Sequence, residues 1–433
     1  MKNKIVSFLL ILYLILGFNY DVKADSFNMG YQGLVLIDNE IDYNEDGVAF
    51  NFDDVKSNHV ILYNLNDETL LYKKNSDEII SIASLTKIMT SLVVIENVDN
   101  LDEKVKISSL AFSDIYEYAK AGFKVGEVVT YRDILYGILL PSGAEAAQEA
   151  AIAVAGDIDS FVMMMNEEAE KLGLTNTHFS NPVGRDDEDN YSTLDDLAKL
   201  LLYALDNEIF YNIYTTRTYT TTNNLALVST LVGPSIRYNL DIDNILGSKS
   251  GYTDDAGLCL SSIASYNDVN YLLITAGAPY AGGYPNHIID TLDIYNYYFD
   301  NYSYREILSE GQELKVLNVK DSFQKNYIIT SLEDVSVYLN NNIDLSEIEY
   351  RYKGVEYVDY KIKTGDKLGN IEVVHDNEIL YDFDVYLTDD IRYKHTKLVI
   401  LFLGLILFLI LFIRRKKEKK RRRRRKNVKR SKR

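Results

Sequence analysis

The 433-residue chain has one cysteine, five histidines and, outside its last twenty residues, few positive charges. The single cysteine, Cys259, excludes an internal disulfide, and its place in an apolar run makes it a small buried hydrophobe rather than a nucleophile. His59, His178, His287, His375 and His395 show no metal-ligand spacing, so the sequence offers no zinc centre and calls for no metal or other cofactor. The tail at 414–433 carries 16 basic side chains and one acid, which leaves 30 basic against 63 acidic side chains over the rest. That surplus argues against nucleic acid or an anionic polymer as a partner. No internal repeat or long low-complexity linker interrupts the chain, and its length leaves room for two domains besides targeting segments.

Both ends look like targeting segments. Lys2 and Lys4, an apolar stretch over 5–18 and the small-residue site Val22-Lys23-Ala24 predict a signal peptide over 1–24, with a retained N-terminal anchor as the alternative. The run 398–413 has no polar side chain across 16 positions, somewhat under the roughly 20 of a spanning helix. With Lys397 and Arg414 able to snorkel, it is expected to be a transmembrane helix. The basic tail 414–433 would then be cytoplasmic, held at an anionic leaflet, and the long preceding region would be extracellular at the cell membrane. Between them, 25–56 is an acidic segment in which Asp42, Asn44, Asp46 and Asp53 resemble a calcium loop, although Asp replaces the usual last Glu and no helical pattern flanks it.

What the chain does hold is a serine and a lysine three apart, in Ser84-Leu85-Thr86-Lys87. Leu85, Ile88, Met89, Leu92 and Val93 fall on an apolar stripe of period 3.6 with no Pro or Gly before Asn97, which predicts a helix with Ser84 at its N-terminus. On one face, the lysine can take the serine's proton if burial or nearby positive charge keeps it neutral. Unpaired N–H groups and the positive end of the helix dipole suit an oxyanion there. The spacing alone is weak. Ser322-Phe323-Gln324-Lys325 repeats it among short β-like runs and reads as a solvated coincidence.

Two further segments add weight. Leu139-Leu140-Pro141-Ser142-Gly143-Ala144-Glu145 puts Ser142 at a turn between two helical runs, where its side chain can enter a cleft. Gly247-Ser248-Lys249-Ser250-Gly251-Tyr252-Thr253 leads into an apolar run at 258–264 short enough for a buried strand, and small residues around the lysine let a substrate backbone pair along its edge. Lys249 is the only Lys or Arg between Arg237 and Arg305, a lone cation suited to an anion. Lys363-Thr364-Gly365 is the closer literal K-T-G, but the following Asp366-Lys367-Leu368-Gly369 reads as a polar hairpin turn.

S-x-x-K, S-x-N and K-T-G, in that order, are the elements of the penicillin-recognising serine enzymes. Together with Asn176-Thr-His-Phe-Ser-Asn-Pro-Val-Gly184 and Tyr191-Ser-Thr193, they make the chain resemble the serine-type D-alanyl-D-alanine carboxypeptidases, the low-molecular-mass penicillin-binding proteins, over about residues 57–300. The resemblance implies an α/β fold. A β-lactamase/transpeptidase-like domain over 57–301, an antiparallel sheet with a helical region, would be followed by a small all-β domain over 302–392 that holds it off the membrane. It also implies removal of the terminal D-alanine from peptidoglycan stem peptides through an acyl-enzyme, with β-lactams as inhibitors. By the same resemblance Ser84 attacks, Lys87 is the base, Ser142 relays a proton, Lys249 and Ser250 bind the terminal carboxylate, and the segment Gly251-Tyr252 lines the substrate, the N–H groups of Ser84 and Tyr252 holding the oxyanion. One departure stands out: Ala144 occupies the family's usual Asn position, and with Glu145 it reads as the start of a helix over 144–155. A β-lactamase or transpeptidase of the same superfamily, or a catalytically inactive wall-binding or sensing protein, are the alternatives.

The remaining pattern is a hairpin at 60–63 and 70–73, helices at 131–140 and 194–205 opened by Thr130/Asp133 and Thr193/Asp196, a helix at 161–172 whose Met163, Met164 and Met165 are expected in the core, and a strand at 271–276. Alternating runs at 315–319, 335–339, 357–362 and 382–387 predict the second domain.

Overall fold

The computed structural model describes residues 42–43, 49–394 and 396–430, with side-chain surroundings over 51–394 and 400–423. The expected signal peptide over 1–24, and residues 44–48 of the expected calcium loop with its Asn44 and Asp46, lie outside the described residues.

Five antiparallel strands form the first sheet: β1 (His59–Asn64), β2 (Thr69–Lys74), β3 (Ile245–Thr253), β4 (Gly257–Tyr266) and β5 (Val269–Ala278), in the spatial order β2-β1-β5-β4-β3. Apolar side chains on both faces show why these segments read as continuous apolar runs. Along β5, Leu272, Ile274 and Ala276 enter one core and Tyr271 and Leu273 the other, as a two-residue period requires.

The first core is covered by helices α1 (Lys87–Asn97), α2 (Tyr131–Leu139), α3 (Ala144–Ala155), α4 (Ile158–Lys171) and α5 (Leu194–Leu205). In α1 every residue from Lys87 to Ile95 is buried, so it runs through the middle of the helical layer rather than over its surface. Ala144, Ala146, Ala147, Ala150 and Ala151 are all buried in α3, and their small side chains let neighbouring helices come close. The expected caps are present: Thr130 and Asp133 form a reciprocal capping box, and Thr193 Oγ1 accepts from the Asp196 N–H at 3.1 Å. One expectation fails in part. Met165 is buried, but Met163 is 60% exposed, because α4 buries a single stripe, Phe161, Met165 and Ala169, and position 163 lies off it.

The second core lies under α6 (Asn286–Asn301), which runs directly into β6 (Tyr302–Leu308), the first strand of a β-rich domain. That domain continues through β7 (Glu313–Val319), β8 (Asn326–Thr330), β9 (Val335–Asn340), β10 (Glu349–Gly354), β11 (Lys367–His375) and β12 (Glu378–Tyr386), in one two-stranded and two three-stranded sheets. The expected strand at 357–362 is only Tyr357–Val358, since the chain turns at once, with the Ile362 N–H bonded to the Asp359 carbonyl at 3.2 Å. Tyr302 and Tyr338 join the second core, and the Tyr271 and Tyr338 hydroxyls lie 2.9 Å apart, so the two domains share packing at their junction.

Helix α7 (Thr396–Arg430) is the last of the described elements. The expected transmembrane helix over 398–413 is not supported: among the described residues no helix is long and apolar enough to cross a membrane. Sixteen residues at about 1.5 Å each reach about 24 Å, against a hydrocarbon core of about 30 Å, and basic residues begin at Arg414.

Candidate active site

Ser84 sits in a turn of 3₁₀-helix, Ala83–Thr86, that leads straight into α1, so the α-helix begins at Lys87 and not at the serine. Two glycines press on this turn. A Cβ on Gly184, whose φ is +79°, would fall 1.8 Å from the Ala83 carbonyl oxygen and 2.9 Å from the Ser84 nitrogen. A Cβ on Gly251 would fall 3.0 Å from the same nitrogen. The Ser84 amide is therefore clamped between a loop and the β3 strand, close to the Gly251-Tyr252 backbone, and Ala83 takes a strained φ of +46° to fit.

The three-residue step brings Lys87 Nζ to 2.9 Å from Ser84 Oγ. The amine also donates to the Val183 carbonyl at 2.6 Å, and the residue is 1% exposed. Burial lowers its pKa from 10.5 to about 7, against a smaller opposing pull from the Glu145 carboxylate. The Val183 acceptor is itself fixed: Asn181 Oδ1 accepts from the N–H groups of Val183, Gly184 and Arg185 at 3.2, 2.8 and 2.9 Å, and Thr90 Oγ1 donates to the Pro182 carbonyl at 2.7 Å.

Ser142 lies on the turn between α2 and α3 with φ at +62°, a conformation that a residue with a side chain adopts at some cost. The turn is tied down from behind. The Ala144 N–H donates to the Ala119 carbonyl at 2.8 Å, Glu145 Oε1 accepts from the Gly122 and Phe123 N–H groups at 2.7 and 3.2 Å, and a Cβ on Gly143 would strike the Ala121 nitrogen at 2.8 Å. Ala144 and Glu145 do open a helix, Ala144–Ala155, and both are fully buried.

Lys249 reaches Ser142 from β3. Its Nζ donates to Ser142 Oγ at 2.8 Å and to the Ser250 carbonyl at 2.5 Å, and burial, with the Lys87 charge second, holds its pKa well below 10.5. Ser250 Oγ donates to Thr230 Oγ1 at 2.7 Å, and the Thr230 N–H is bonded to the Leu140 carbonyl at 3.0 Å. β3 is the edge of its sheet, so one side of its backbone is open to an added chain. Tyr252 is exposed, its hydroxyl donating to Asp254 at 2.8 Å and its ring 4.9 Å from that of Tyr280.

Ser84, Lys87, Ser142, Lys249, Ser250, Gly251 and Tyr252 are thus brought to one place. Neither decoy is. Ser322 and Lys325 lie at the tip between β7 and β8, and Lys363 is exposed, its amine donating to the Tyr360 carbonyl at 3.1 Å. The motifs did not disclose the parts played by Asn181, Val183, Gly184, Thr230 and Glu145. Only the Asn-Pro-Val-Gly turn carried a signal, a glycine in a loop needing positive φ. Chemically, a half-buried hydroxyl beside a buried amine with pKa near neutrality is an activated nucleophile, and a second buried lysine on an open strand edge suits an anionic substrate end.

Comparison with known proteins agrees. The D-alanyl-D-alanine carboxypeptidase family matches residues 46–279, more than half of the chain, and the C-terminal domain of penicillin-binding protein 5 matches 302–393. The D-alanyl-D-alanine carboxypeptidase DacF of Bacillus subtilis is 28% identical over 333 residues, which cover 75% of this chain and 82% of that one. A D-alanyl-D-alanine carboxypeptidase of a Streptomyces species is 36% identical over 207 residues, covering 44% of this chain and 70% of that one. The crystal structure of the carboxypeptidase DacD from Francisella tularensis superposes with a TM-score of 0.61 at 20% identity, over 79% of this chain and 95% of that one, a likeness of fold.

Proposed function

The chain belongs to the D-alanyl-D-alanine carboxypeptidase family, and within that activity we propose that Ser84 is the nucleophile and Lys87 its base. The protein is a serine-type, penicillin-binding hydrolase. The observation that carries the assignment is the buried Lys87 amine, 2.9 Å from Ser84 Oγ with a pKa of about 7.

The substrate's terminal D-alanyl-D-alanine lies along the open edge of β3, its carboxylate at Lys249 and Ser250. An arriving carboxylate favours the charged form of Lys249, which burial suppresses in its absence. Neutral Lys87 takes the Ser84 proton as Oγ bonds to the penultimate carbonyl carbon, and the oxyanion is held by the N–H groups of Ser84 and Tyr252. The peptide C–N bond then breaks, and the proton passes through Ser142 to the departing D-alanine nitrogen. Water attacks the ester, Lys87 accepting its proton and returning it to Ser84 Oγ. With a β-lactam the ring nitrogen stays tethered and the acyl-enzyme persists. The substrates are peptidoglycan stem peptides.

The proposal extends to location. The apolar side chains of 400–413 are all exposed on α7 and are followed by the basic tail, and these features support attachment of α7 to an anionic cell membrane. Intact-mass measurement after exposure to penicillin tests the site. One adduct is expected on the wild type and none on Ser84→Ala; an adduct that survives in Ser84→Ala would remove Ser84 from its role.

A further inference from the structure

The second S-x-x-K, idle in catalysis, has a surface of its own. Residues 320–325 form the tip between β7 and β8, closed by the Val319 N–H donating to the Lys325 carbonyl at 2.8 Å. Phe323 stands 74% exposed at this tip, its ring centroid 4.8 Å from Lys394 Nζ. The tip is bonded to the end of the β domain: the Lys394 N–H donates to the Asp321 carbonyl at 2.7 Å, and Ser322 pairs with Tyr393. Lys320 reaches over the Tyr357 ring, with Nζ 3.1 Å from its centroid, while Lys325 and Arg392 are exposed.

One exposed aromatic ring therefore has Lys394 against it and Lys320, Lys325 and Arg392 in the two paired segments, 320–325 and 392–394, where Asp321 is the one acid. An aromatic with flanking lysines suits the boundary of a lipid layer, where the ring leaves water and the amines meet phosphates. Chain length puts the tip at that boundary. From Lys394 to the apolar residue Leu398 is four residues, at most about 14 Å of chain. Wherever the apolar stretch of α7 meets a membrane, Phe323 is held near the headgroups.

We propose that the 320–325 tip is a second lipid contact, in which Phe323 enters the interface of an anionic membrane and Lys320, Lys325, Arg392 and Lys394 engage its phosphates. The inference rests on the membrane attachment of α7 proposed above. Two contacts fix a tilt that one helix cannot, and so set the height and facing of the catalytic domain over the lipid.

The chain has no tryptophan, so one introduced residue reports its own surroundings. Full-length Phe323→Trp and Leu332→Trp proteins are mixed with vesicles of phosphatidylglycerol and phosphatidylcholine brominated on the acyl chains, and flotation and emission are read on the same samples. Leu332, 76% exposed, follows β8 at the end away from the tip and serves as the control. The expected result is flotation of both, with blue-shifted and quenched emission at position 323 alone, lessened by Lys320→Glu with Lys325→Glu or by omitting phosphatidylglycerol. Flotation with position 323 still in water overturns the lipid contact and leaves attachment standing. Equal quenching at both positions also overturns it, since a domain lying flat has no specific tip. Failure to float overturns attachment and this contact together.

Discussion

Lys87 and Lys249 are two buried amines that each hold a different serine: Lys87 reaches Ser84 at 2.9 Å and Lys249 reaches Ser142 at 2.8 Å. Neither can be a spare cation, because burial presses the pKa of both downward and the Lys87 charge adds to the pressure on Lys249. Their places differ, however. Lys87 opens the helix behind the nucleophile, while Lys249 lies on the strand edge that a substrate would follow.

Their mutants should therefore fail differently. Lys87→Ala removes the base and should nearly abolish acylation at any penicillin concentration. Lys249→Ala removes a charge-assisted contact worth about 1.5–3 kcal/mol, so acylation and peptide turnover should fall roughly 10- to 150-fold. Lys363→Ala, in the literal K-T-G, should be silent, since that amine is exposed in the second domain, where it is bonded to the Tyr360 carbonyl. Stopped-flow acylation of the three variants decides; a loss at Lys363 equal to that at Lys249 would reverse the choice between the two motifs.

Acylation needs neutral Lys87, so its rate should rise with pH through about 7, a limb far below that of an ordinary lysine. The charged or titratable groups facing this amine are the Glu145 carboxylate from α3 and Lys249 from β3. Glu145 pulls the Lys87 pKa up, so Glu145→Gln, which keeps an oxygen for the Gly122 and Phe123 N–H groups, should move the limb to lower pH. An unmoved limb in the pH–acylation profile would remove Glu145 as a charge partner of the base.

The sequence carried the chemistry and the order of the elements because these lie in short local patterns: the S-x-x-K spacing, the caps at Thr130 and Thr193, and the alternation along 271–276. It did not carry what depends on contacts distant in the chain. Val183 as the acceptor for Lys87, 96 residues away, has no local signature, and neither does Thr230 beneath Ser250. The exposed Met163 beside buried Met165 was missed because three methionines in a row give composition without a face. The strand at 357–358 is shorter than its pattern because the alternation carried by Val358, Tyr360 and Ile362 continues past the turn that ends it.

Keeping a lysine buried for chemistry costs stability. Holding Lys87 at a pKa of about 7 against 10.5 in an open chain costs on the order of several kcal/mol near neutral pH, so Lys87→Met should be inactive yet melt at a higher temperature. The sign with pH follows from linkage. Between about 7 and 10.5 the unfolded chain binds the proton and the folded one does not, so the wild type gains stability on the variant as pH rises across that window. Calorimetry at pH 7 and pH 10 measures both; a gap between variant and wild type that widened with pH would contradict the burial argument.

The last prediction separates the clamp on Ser84 from ordinary glycine freedom. Gly184 and Gly173 have nearly the same backbone angle, φ of +79° and +70°, so alanine at either should cost about 1–2 kcal/mol of conformational strain. Only Gly184 has anything in the way, the Ala83 carbonyl oxygen at 1.8 Å and carbon at 2.4 Å, whereas nothing lies within 4 Å of a Cβ on Gly173. Those are backbone atoms of the nucleophile's own turn, which cannot step aside as a side-chain tip can. Gly184→Ala should therefore push Ser84 away from Lys87 and from the β3 edge, and displacement on the order of 1 Å costs about 100-fold in rate. Gly173→Ala should lose stability and acylate normally. Melting temperature and penicillin acylation rate, measured on both variants, give the answer: if the two lose stability alike and both keep their rate, the Gly184 loop does not set the position of Ser84.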